Sequence, residues 1–137
     1  ILKINNDLER IGDLAVNIAE TMGRLIDVER FQRVEGCHKI ATSAQSMLNG
    51  SLRALNERDT NIARKIIAAD DEVDRLQASI QRRIQAEIDR IPDNVGPLMQ
   101  LDFVVRQLER VGDMATNIAE DVIQMVEGRI VRHGRAK

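Results

Sequence analysis

A thirteen-residue phrase occurs twice in this chain, one hundred positions apart. Leu8-Glu9-Arg10-Ile11-Gly12-Asp13-Leu14-Ala15-Val16-Asn17-Ile18-Ala19-Glu20 returns as Leu108-Glu109-Arg110-Val111-Gly112-Asp113-Met114-Ala115-Thr116-Asn117-Ile118-Ala119-Glu120. The copies differ only by Ile/Val, Leu/Met and Val/Thr. Packing alone explains shared apolar spacing, since any helix with a core face needs it. It does not explain identical Glu, Arg, Asp and Asn residues. A long fixed period marks a duplicated structural unit, and here the unit carries chemistry on its polar face.

Each phrase lies within a longer helical pattern. Ile1, Ile4, Leu8, Ile11, Ala15, Ile18, Met22 and Leu25 step by three and four. Adding one hundred gives Leu101, Val104, Leu108, Val111, Ala115, Ile118, Val122 and Met125, all apolar. A 3.5-residue period held this long predicts near-parallel helix packing at a small crossing angle. The first helix is expected over about 1–27. A second is expected over about 31–56, with Cys37, Ala41, Ala44, Leu48, Leu52 and Leu55 inward. Asp59 suits the N-cap of a third helix over about 60–91, whose buried face runs from Ile62 to Ile91. Pro92-Asp93-Asn94 stops it, and Pro97 fits the first turn of a fourth, where its missing N–H costs nothing. Gly128 is the expected stop of that helix. Nothing reads as a strand, so the fold class is all-α, an antiparallel helical bundle with short connections.

Composition removes several functions. With two Phe (Phe31 and Phe103) and no Trp or Tyr, stacking on bases and aromatic ligand cages are not expected. A net charge of −2 argues against nucleic acid, which needs a basic face. The lone Cys37 allows no intrachain disulfide and fits a reducing compartment. No apolar run is long enough to span a bilayer, so no membrane insertion is expected and the cytoplasm is the expected location. Residue 1 is an Ile already in helical phase, which reads as a segment of a longer protein. The stretch 129–137 carries Arg129, Arg132, His133, Arg135 and Lys137 and is expected to be a basic, solvated tail, the alternative being a docking strip for an acidic partner.

The acidic residues show a second pattern. Glu9 and Asp13, Glu109 and Asp113, and Asp70 and Asp74 are each four apart, so each pair converges on one helix face. Like charges at that spacing repel unless something neutralises them. If the third and fourth helices turn between Ile91 and Gly96, residues at equal height sum to about 187. Asp74 is then level with Asp113, and Asp70 with Asn117. Gly112 on the same helix is expected to permit close backbone approach. Clusters of oxygen ligands suit hard cations such as Mg²⁺, Ca²⁺, Mn²⁺ or iron. The plain alternative is an ion-pair lattice, because Arg10, Arg106 and Arg110 each stand three before Asp13, Glu109 and Asp113. A ferritin-like di-iron enzyme would need Glu-x-x-His on two helices, which neither His38 nor His133 supplies. Cys37 falls on the apolar seam and reads as a buried thiol. No P-loop, GxGxxG or nucleophile elbow is present, so no catalysis is expected.

At these residues the chain resembles the PhoU family of phosphate-signalling regulators. That family has paired three-helix bundles, each closing with a helix of the form L-E-R-[IV]-G-D-x-A-x-N-I. Leu8–Ile18 and Leu108–Ile118 both match. The family's E/D-x-x-x-D metal motifs are met by Glu9/Asp13, Asp70/Asp74 and Glu109/Asp113.

The resemblance implies that residues 1–27 are the closing helix of a truncated first repeat and 31–128 a complete second bundle. Glu9 and Asp13 then lack the carboxylates of neighbouring helices, while Asp70, Asp74, Glu109 and Asp113 are the stronger metal candidates, with Asn117 as a ligand or supporting residue. It further implies a multinuclear cluster of iron or another hard cation such as Mn or Mg. The implied function is a non-catalytic regulator that restrains phosphate uptake and the starvation response, through a phosphate ABC transporter and a sensor histidine kinase. The alternatives are a carboxylate-based metal-storage bundle and a PhoU-like domain detached from a sodium–phosphate transporter. The first helix's seam can fold back on the second bundle or pair with a second copy. The strict 3.5 period favours the homodimer.

Overall fold

The computed structural model describes residues 2–25 and 34–135. Ile1, the predicted end of the first helix at 27 and the predicted start of the second at 31 lie outside the described residues, as do the side chains of the basic stretch from Arg129 onwards. The described elements are α1 (Leu2–Arg24), α2 (Cys37–Glu57), α3 (Thr60–Arg90), a short 3₁₀ turn (Pro92–Asn94) and α4 (Val95–Arg135). Among the described residues there is no strand, and no helix is long and apolar enough to cross a membrane.

Local chemistry sets the helix ends. Gly36 has φ 100°, a backbone conformation that a helix cannot continue, so α2 begins at Cys37. A Cβ at Gly36 would also press to 3.0 Å of Ile80 Cγ1. α2 ends at Arg58, which takes a left-handed φ of 52° and donates its N–H to the Ala54 carbonyl. Asp59 then caps α3, its carboxylate accepting from the N–H of Asn61 (2.8 Å) and of Ile62 (3.1 Å). Pro92 turns the chain, and α4 starts at once with Pro97 in its first turn. Gly128 does not stop α4, which continues to Arg135. A helix-interior glycine costs only about 1 kcal/mol against alanine, too little by itself to end a long helix.

α4 is the axis of the molecule: α1, α2 and α3 all pack against it, and α2 also packs against α3. The core holds the expected α4 seam, with Leu101, Val104, Leu108, Val111, Ala115, Ile118 and Val122 buried, while Met125 is exposed. From α3 it takes Ala63, Ile66, Val73, Ile80 and Ile84. The face of α2 is rotated from the sequence expectation. Cys37 and Ala44 are buried as predicted, but Ile40, Met47, Ser51 and Ala54 fill the contact and Leu52 is exposed. The reason is close approach. At Gly50 a Cβ would collide with Ile66 Cδ1, and around it the small Ser51 and Ala54 lie inside while Leu48 and Leu55 pack at the flanks.

α1 folds back on α4. Lys3 Nζ reaches Asp121 Oδ1 at 3.2 Å, and the C-terminal end of α1 (Asn17, Thr21, Arg24) shares a cleft of about 430 Å³ with Met99 and Phe103 at the start of α4. The two helices are therefore antiparallel. Ile4, Ile11 and Leu25 are buried, and Leu8, Ile18 and Met22 pack partly against the core. The seam that argued for a second copy is thus covered within one chain. The flank of the seam remains bare, with Gly12, Val16 and Ala19 exposed together with the seam's own Ala15. Their counterparts Gly112, Ala115, Thr116 and Ala119 are buried against α2 and α3.

Candidate metal centre

Asp70 and Asp74 project one turn apart from α3, and Glu109 and Asp113 one turn apart from α4. The tight turn at Pro92–Asn94 fixes the register of these two helices. The result is convergence: Asp70, Asp74 and Asp113 each offer a carboxylate oxygen within 4.8 Å of the others. Glu109 lies beside Asp113, one turn earlier on the same helix, and feels the charges of all three aspartates. Asp74 is exposed and the other three are half-buried, so the cluster lies in the α3–α4 seam with one side open to solvent.

The electrostatics follow from that crowding. Burial first, then the hydrogen bond to Asp113 and the charges of Asp113, Asp74 and Asp70, push Glu109 up to about 8. The crowded carboxylates therefore favour a proton on Glu109 at neutral pH. Asp70 is also raised, by burial first and then by Asp74 and Asp113. The Thr116 hydroxyl works in the opposite sense on Asp70. At ordinary hydrogen-bond geometry, however, neither Thr116 Oγ1 nor Asp70 Oδ1 has a partner.

The ion-pair alternative does not account for this cluster. Among the described residues no Lys or Arg pairs with any of the four carboxylates. Arg106 turns away from Glu109 to Asp102, at 2.9 Å, and Gln81 donates to the other oxygen of Asp102 at 3.3 Å. An oxygen-only donor set, short of protein cations and holding an orphaned carboxylate oxygen, fits a hard cation.

Asn117 lies one turn beyond Asp113 on α4, half-buried. Glu9 and Asp13 stay exposed on α1, outside the cluster. Gly112 is not needed for close approach, contrary to expectation. A Cβ there would stand 3.6 Å from Met47 Sδ and from Val73 Cγ1, ordinary contact distances. Cys37 is fully buried, and burial pushes its thiol up to about 11, as the apolar seam predicts for an inert thiol. Sequence reasoning missed Thr116. The signal was present: of the three differences between the phrases, Val16/Thr116 alone adds a polar atom.

With this geometry in hand, comparison with known proteins is direct. Residues 1–22 and 38–122 match the family described as PhoU domain. A phosphate-specific transport system accessory protein PhoU homolog from Clostridium acetobutylicum is 35% identical over 95% of this chain and 59% of its own length. The Aquifex aeolicus homolog of the same name is 36% identical over 100% of this chain and 62% of its own. The crystal structure of PhoU from Pseudomonas aeruginosa superposes with a TM-score of 0.86 at 31% identity, covering 92% of this chain and 61% of that one. The chain spans about six tenths of the length of these relatives.

Proposed function

The chain belongs to the PhoU family, and on that premise we propose that it is part of a cytoplasmic, non-catalytic regulator of phosphate-specific transport. The regulator restrains phosphate uptake and the phosphate-starvation response when phosphate is plentiful. It does so by contacting a phosphate ABC transporter and a sensor histidine kinase. Its relatives bear the name of transport-system accessory protein, which supports the reading.

The observation that carries the chemistry is the convergence of Asp70, Asp74 and Asp113, with no Lys or Arg among the described residues paired to them. A hard divalent cation, iron or Mn or Mg, supplies positive charge there when bound. The three aspartates would hold it, with Glu109 able to join them after losing its proton. A bound cation would cancel the like-charge repulsion between the aspartates of α3 and α4 and tie the two helices together at that point.

The test is genetic and uses the full-length gene. Asp74→Ala/Asp113→Ala and a complete deletion should both leave phosphate uptake unrestrained in phosphate-rich medium and switch on starvation genes. Unchanged uptake and expression in the deletion strain would overturn the regulatory reading. If the deletion strain responds and the double variant does not, the cation site has no part in regulation. Metal content that falls in the double variant while regulation is intact would favour storage instead.

A further inference from the structure

Thr116 stands on α4 one turn after Asp113 and is only 8% exposed. Its Oγ1 is buried and has no hydrogen-bond partner. A helical threonine or serine ordinarily turns its hydroxyl back to a carbonyl three or four residues earlier. Thr42 does this to the His38 carbonyl at 3.0 Å, and Ser51 to the Leu48 carbonyl at 2.8 Å. Thr116 makes no such bond. Asp70 stands level with it across the antiparallel α3–α4 pair, one turn from Asp74 as Thr116 is one turn from Asp113, and Asp70 Oδ1 is buried and equally unpartnered. A hydroxyl can donate and a carboxylate can only accept, so the two orphans are complementary.

The internal repeat sharpens the point. The equivalent position in the first phrase is Val16, an isosteric apolar residue that is 54% exposed. In the copy where a second helix brings aspartates alongside, the same position carries a hydroxyl and is buried. Buried polar groups without partners are costly, and burial by itself would have favoured valine.

We infer that Thr116 is a positioning residue of the cation site: its hydroxyl, unpartnered in the metal-free chain, donates to one oxygen of Asp70 when a cation is bound and leaves the other oxygen to the cation held with Asp74 and Asp113. This rests on the cation reading above. Partners of this kind, which touch the ligand and not the metal, typically set metal affinity by a factor of about 10–100.

The experiment is a calorimetric titration of chelator-treated protein with Mn²⁺ alone, on wild type, Thr116→Val, Thr116→Ser and Asp74→Ala/Asp113→Ala, together with the thermal midpoint of each metal-free protein. Thr116→Val should weaken Mn²⁺ binding by about 10–100-fold, and Thr116→Ser should keep most of the affinity. The metal-free midpoint of Thr116→Val should be unchanged or higher, because a buried unpaired hydroxyl has been removed. Thr116→Val titrating like wild type would overturn the role of Thr116 and leave the cation site standing. A lower metal-free midpoint with no rescue by serine would also overturn it, in favour of packing alone. Wild type that takes up no more Mn²⁺ than the double aspartate variant would remove the cation site and this inference together.

Discussion

Raising the pH of the metal-free protein from 5 to 9 should destabilise it, and Glu109 is the main cause. In the folded chain this carboxyl keeps its proton to about pH 8, against an ordinary value of 4.5. A group whose folded pKa is raised contributes stability that is fully present below the unfolded value and lost as pH climbs through the folded one. The window therefore runs from about 4.5 to about 8. Asp70 is raised as well and acts with the same sign. At 1.36 kcal/mol per pH unit the full gap for Glu109 would be worth about 4–5 kcal/mol. The cluster is open to solvent on one side, with Asp74 exposed, so screening reduces this to about 2 kcal/mol. Glu109→Gln removes the titration and keeps an N–H to donate to Asp113. Urea unfolding followed by circular dichroism, in chelator, should give wild type and Glu109→Gln similar stability near pH 5. Near pH 8.5 the variant should be the more stable by about 2 kcal/mol. Parallel curves across the range would refute the argument, because they would mean that Glu109 titrates normally.

Two further substitutions test the packing and the helix ends. Gly112→Ala should stabilise the protein by about 0.5–1 kcal/mol, since alanine is the better helix former and its methyl meets Met47 and Val73 at ordinary distance. A lower urea midpoint would show that α4 needs the glycine to approach its neighbours. Asp59→Ala should cost about 0.5–2 kcal/mol by releasing the N–H groups of Asn61 and Ile62, with Asp59→Asn losing much less. Equal midpoints for the two variants would mean that the cap is not what starts α3.

Much of this protein is determined by the sequence alone. Long apolar periods fix long helices, because burying a stripe at 3.5-residue spacing requires a helical partner. Asp59, Pro92 and Pro97 act on their own neighbours, so the ends they set can be read locally. Asp70, Asp74 and Asp113 were legible for a related reason. Spacing of four puts side chains on one face, and a tight turn leaves an antiparallel pair a single register.

Tertiary structure decided what depends on distance between elements. The buried face of α2 is set by its approach to α3, where Gly50 meets Ile66 and Ser51 and Ala54 lie inside while Leu52 is outside. Hydrophobicity could not announce that, because close approach selects for small residues over apolar ones. Arg106 had equal sequence claims on Glu109 and Asp102, and packing beside Gln81 gave it to Asp102. α1 could have covered its seam with another copy or with α4, and period alone does not distinguish the two. Thr116 is the clearest case. In sequence it is one conservative change from Val16, and only the arrival of Asp70 from another helix makes its hydroxyl matter. Spacing along one helix is covalent and visible in the sequence, whereas the meeting of two helices depends on how every residue between them packs.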